Sequence, residues 1–161
     1  MKKTVTPLRS LCAALAALVL LVALAVPAFA AANGFADLYY RMNDNAQVLT
    51  EDENSELEAS LEELSVRQSF DVVIVTIDSL ESEGYTSMEK YADDTYDDCQ
   101  FGYGADRDGV LLLVSTGDRK WHISTCGYGI TAFTDAGIQY LGEQVTPDMA
   151  DGDYAAAFRT F

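Results

Sequence analysis

Apolar positions follow three different spacings along this chain, and the changes between them mark its elements. From Leu11 to Val26 the run is wholly apolar. Leu57, Leu61 and Leu64 instead recur at helical spacing, behind Thr50-Glu51-Asp52-Glu53, which has the form of a capping box. That pattern predicts a helix from Glu51 to Arg67. Phe70 to Ile77 is compact and β-branched, and Val110 to Val114 is a second such run; both predict buried strands. Between them, Thr86-Ser87-Met88-Glu89 reads as another capping box, opening a helix to about Cys99.

Past Val114 the spacing drops to two. Thr116-Gly117-Asp118 is a turn, and Lys120 to Thr125 alternates and pairs back as a third strand. Gly127-Tyr128-Gly129 ends it. Thr134 is placed to cap a helix from Asp135 to about Val145, with Pro147 as its stop, and a further helix begins near Asp153. Residues 33–49 read as irregular. Strand, helix, strand and hairpin together predict an α/β fold: a mixed sheet sandwiched by helices, in an α/β/α arrangement.

The leading apolar run changes the picture of where the protein acts. Lys2, Lys3 and Arg9 precede it, and Ala28-Phe29-Ala30 gives a small-x-small end, so residues 1–30 have the layout of a secretory signal peptide with cleavage after Ala30. The run is short for a span, which needs about 20 residues. The domain is then residues 31–161, secreted or extracytoplasmic. Where the run stays uncleaved, the protein is membrane-anchored.

The full chain carries a net charge of −16. Without residues 1–30, seven basic residues stand against 26 acidic ones, a net charge of −19. Such a surface repels nucleic acid and anionic lipid and suits cations. Cys99 and Cys126 remain after the leader. An even pair in an exported protein suits a disulfide, and two separate thiols are the alternative.

Parallel strands at 70 and 110 bring one set of loops together at a single sheet edge. They are Asp106-Arg107-Asp108-Gly109, the Gly127-Tyr128-Gly129 loop, and the helix start at Asp135. Three carboxylates beside glycine backbone outline a site for a hard cation such as Ca²⁺, which takes about six to eight oxygens. The same residues also suit turns and a helix N-terminus. A phosphate loop fits less well. Residues 130–133 separate the glycines from Thr134, and no basic residue lies between Lys120 and Arg159. His122 stands alone, without a Ser-His-Asp or Cys-His arrangement.

The ordered set of motifs resembles the TPM domain family. It comprises Asn43-Asp44 with Val48-Leu49-Thr50, Val72 to Val75, Tyr91-Ala92, Asp108 to Val114, Asp118-Arg119, Gly127 to Gly129, Thr134-Asp135, Pro147, and Gly152-Asp153-Tyr154. The resemblance spans about residues 37–161. It implies an exported α/β sandwich with an acidic cleft near the Gly-Tyr-Gly loop and, in some members, divalent-metal binding. It adds Asp44 to the metal ligands Asp106, Asp108 and Asp135. It also implies accessory roles beside membrane proteins or acid phosphatase activity. Family members often have Asn-Gly where this chain has Asp108-Gly109, so the cleft here gains a charge. The expectation is a Ca²⁺-binding accessory module partnering a membrane or envelope protein, the alternative being a metal-dependent acid phosphatase.

Overall fold

The computed structural model describes residues 40–161, and the expected signal peptide lies outside them. Four strands form one sheet in the order β1-β2-β3-β4: β1 Met42–Asp44, β2 Asp71–Ile77, β3 Gly109–Ser115 and β4 Lys120–Cys126. The first three are parallel, and β4 returns antiparallel to β3. Five helices accompany them among the described residues: α1 Glu51–Gln68, α2 Met88–Asp98, α3 Gly129–Ala132, α4 Asp135–Asp151 and α5 Tyr154–Thr160.

The central strands are apolar from Val72 to Val75 and from Val110 to Val114 because both their faces are covered. Ile74, Val110, Leu112 and Ile123 join Leu57 and Leu61 of α1, Val145 of α4 and Phe158 of α5 in one core. The alternate positions Val73, Val75, Leu111 and Leu113 are buried on the face that α2 covers. The predicted sandwich is therefore present.

Local chemistry explains most boundaries. The α1 capping box is complete: Glu53 N–H donates to Thr50 Oγ1 and Thr50 N–H donates to the Glu53 carboxylate. α2 begins one residue later than its motif suggests, with Ser87 rather than Thr86 as N-cap, accepting from Lys90 N–H. Pro147 does not stop α4, which runs on to Asp151 and ends at Gly152 in the left-handed conformation. A proline there orphans the Glu143 carbonyl. That face of α4 is exposed, so water can take the carbonyl's partner role. β1 and the single turn of α3 lie where the sequence reads as irregular or loop. β1 has only three residues and exists by pairing Met42–Asp44 with Ile74–Thr76.

Candidate functional site

The N-terminal ends of the parallel strands collect the polar residues with the most unusual surroundings. β2 opens with Asp71, which is fully buried. Its Oδ1 accepts from Arg41 Nε at 2.8 Å and its Oδ2 from Gly102 N–H at 2.7 Å. Arg41, itself buried, also contacts Glu62 through its guanidinium, and its backbone N–H donates to Glu58. Burial pushes the Asp71 carboxyl up, against the opposing pull of the Gly102 N–H. Burial likewise lowers Arg41, against Glu58 and Tyr103. Both shifts record the cost of taking this pair out of water. Sequence reading missed it, although a charge at the first position of an otherwise apolar buried run requires a partner.

One strand further on, Asp108 precedes β3. Its carbonyl accepts from Asp71 N–H and Tyr103 N–H, both at 2.9 Å, and its N–H donates to Tyr103 O at 3.0 Å. These bonds close the 102–108 loop into a tight hairpin. The Asp108 carboxylate then reaches across to the Gly127 loop, where Oδ1 accepts from Tyr128 N–H at 2.6 Å. Gly127 has φ 57°, and a Cβ there collides with the Asp108 carboxylate and lies 2.6 Å from the Asp106 carbonyl oxygen. The glycine is thus required by the conformation and by two oxygens that crowd its open side.

The other expected ligands are elsewhere. Asp44 ends β1 at the opposite end of the sheet. It accepts from Val48 N–H, Leu49 N–H and the Thr76 hydroxyl, at 3.2, 2.9 and 2.6 Å. Asp135 opens α4 and lines a groove with Trp121 and Ile138, whereas Asp108 lines another with Phe70, Tyr128 and Phe133. Among the described residues, no group of three or more His, Cys, Asp or Glu side chains is arranged to hold a metal. Asp106 brings its backbone carbonyl, not a placed carboxylate, beside the Asp108 side chain; Asp44 and Asp135 do not join them.

Four further residues behave differently from their sequence reading or sharpen it. Arg107, the only cation of the loop, is committed internally: it donates to Phe101 O at 2.9 Å, Tyr96 O at 2.6 Å and Asp97 Oδ1 at 2.7 Å. Asp118, at the hairpin turn, forms no ion pair with its neighbour Arg119 among the described residues. It accepts from Leu80 N–H and from the Ser115 hydroxyl, both at 2.8 Å, and the first of these contacts chiefly holds its carboxyl below the usual range. Both thiols are free. Cys99 lines a groove with Asn43 and Val75, on the β1 side, while Cys126 ends β4 at the other sheet edge. Strands lie about 4.8 Å apart, so two cysteines turned toward opposite edges do not bridge.

A four-stranded mixed sheet between helices, with a glycine-gated acidic loop at its N-terminal edge, defines an α/β sandwich domain. The chain belongs to the TPM domain family, whose model matches residues 42–161. Solved structures agree on the fold. The N-terminal domain of a P. gingivalis protein is similar with a TM-score of 0.65 at 19% identity, covering 80% of this chain and 80% of that one. The N-terminal domain of the cg2496 protein from Corynebacterium glutamicum gives 0.57 at 12% identity, covering 75% and 74%. The BA42 protein from the psychrophilic bacterium Bizionia argentinensis gives 0.57 at 14% identity, covering 68% and 73%. No curated protein sequence matches the chain.

Proposed function

We propose that the protein is an exported TPM module that works by binding rather than catalysis, taking a divalent cation at the 106–108 loop beside a membrane or envelope partner. The observation that carries this reading is the convergence of the Asp106 carbonyl and the Asp108 carboxylate on the side chain-free face of Gly127. Asp108 Oδ1 is held by Tyr128 N–H, and Oδ2 accepts no hydrogen bond among the described residues. A carboxylate oxygen and a backbone carbonyl are hard donors of the kind that Ca²⁺ favours. They supply a minority of the oxygens it needs, so water completes the shell and binding is weak. Export rests on the leader pattern ending at Ala30.

Acid phosphatase activity has less support. Phosphoryl transfer needs cationic groups aimed at the transferring oxygens. Arg107, the one candidate in the loop, is occupied by two carbonyls and Asp97. The test is a calcium titration of the full chain followed by amide NMR, with p-nitrophenyl phosphate hydrolysis measured in calcium and in EDTA. Shifts centred on Asp106, Asp108, Gly127 and Tyr128 without turnover are expected. Metal-dependent turnover contradicts the binding-module reading, and shifts confined to other acidic surfaces contradict the site.

A further inference from the structure

The edge strand β4 has seven residues, long enough to template another strand, and among the described residues it pairs only with β3. No loop, cap or side chain among the described residues hydrogen-bonds its backbone outside that ladder. In an antiparallel edge strand half of the N–H and C=O groups then point outward unpaired.

Beside this edge lies an apolar groove of about 730 Å³ between β4 and α4. Its lining includes Trp121, Ile138, Gly142 and Pro147, with Asp135 and Glu143 as its carboxylates and no cation. Gly142 seats the indole in its wall: a Cβ there collides with the Trp121 ring, so the glycine lets helix and indole meet closely. On the opposite face of the strand, Asp93 of α2 accepts from the Ser124 hydroxyl at 2.6 Å. Asp93, Asp135 and Glu143 form no ion pair among the described residues.

We propose that β4 and the α4 groove dock an extended segment of a partner protein in which apolar and basic residues alternate. The segment adds to the sheet as a fifth strand. Its backbone takes the unpaired groups of β4. Side chains of one parity enter the Trp121 groove, and those of the other face Asp93 across the strand. Charge complementarity selects lysine or arginine for the polar positions. A bulge, one device that normally blunts an edge, is absent from β4, whose seven residues pair one to one with β3; Lys120 at one end is its only cation. Strand docking at β4 needs neither the cation nor the 106–108 loop.

Trp121 is the single tryptophan of the chain, so its fluorescence reports on the groove directly. The full chain, in EDTA, is titrated with a synthetic peptide of alternating lysine and valine about as long as β4. Three peptides serve as controls: alternating glutamate and valine, alternating lysine and serine, and the lysine–valine peptide N-methylated on alternate amides. We expect a saturable Trp121 change with the first peptide only, and slowed hydrogen exchange at the amides of residues 120–126. Asp93→Asn, at an exposed helix position that keeps an acceptor for the Ser124 hydroxyl, should weaken that binding about fivefold while leaving the fold intact. Binding of the N-methylated or lysine–serine peptide as tight as the first overturns strand addition. So does unchanged exchange along β4. Protection of β4 that grows with protein concentration, without peptide, overturns the partner and makes a second copy the occupant.

Discussion

Asp44 and Asp118, at the C-terminal ends of the parallel strands, are consumed by structure. Asp44 takes two N–H groups of its own turn and the Thr76 hydroxyl; Asp118 takes Leu80 N–H and the Ser115 hydroxyl. At the N-terminal ends, Asp71 is buried against Arg41, while Asp108 keeps one oxygen without a partner among the described residues and shares its loop with the Asp106 carbonyl. The four side chains are chemically identical. What separates an anchor from the proposed ligand is how many of its oxygens are already taken, and by groups how deeply buried.

The largest effect should come from splitting the buried pair. Arg41→Ala leaves Asp71 charged and buried with only Gly102 N–H as partner. Loss of one member of such a pair costs about 3–5 kcal/mol, which denaturant unfolding at neutral pH should register. A cost below about 1 kcal/mol, of the kind an exposed pair gives, breaks the contrast drawn between Asp71 and the surface acids.

Asp44→Ala comes next. It removes the acceptor of Val48 N–H, Leu49 N–H and the Thr76 O–H at a half-buried turn, and about 1–3 kcal/mol should be lost. Asp118 sharpens the same point through pH. Its carboxyl is held below the usual range by Leu80 N–H and then Ser115, so its contribution is complete above the unfolded carboxyl's pKa. That contribution is lost as pH falls through the lower folded value. The difference in Tm between wild type and Asp118→Asn should therefore be constant near neutrality and shrink in acid. A difference that persists below the carboxylate range contradicts the hydrogen-bond account.

Sequence pattern carried the architecture far because the local signals agree with the tertiary ones. Thr50 and Glu53 cap α1 as their spacing demands, and the unbroken Val110–Val114 run is buried on both faces. Pro147 misleads because proline's damage depends on whether water reaches the freed carbonyl, which the sequence does not state. β1 is legible only through its partner, since three residues have no periodicity of their own. The candidate site is legible in part. Asp108 and Gly127 are signalled by an acid-glycine loop and a Gly-Tyr-Gly turn. Asp44 and Asp135 look the same in sequence, and only their partners and their place at other edges of the fold distinguish them. The Arg41–Asp71 pair joins residues thirty positions apart, beyond any local pattern.

The measurement that bears most directly on this account is thermal melting of wild type, Asp108→Asn and Asp44→Asn, each in calcium and in EDTA. A cation at the 106–108 loop stabilises by RT ln(1 + [L]/Kd), about 2.7 kcal/mol at a hundredfold excess over Kd. Asn at 108 keeps an acceptor for Tyr128 N–H but removes the charge, so this variant should melt in EDTA near wild type and lose most of the calcium shift. Asp44→Asn should melt lower than wild type in EDTA and keep the shift. Equal calcium shifts in all three proteins, or a shift lost at Asp44 and kept at Asp108, contradict the assignment of the two sheet ends.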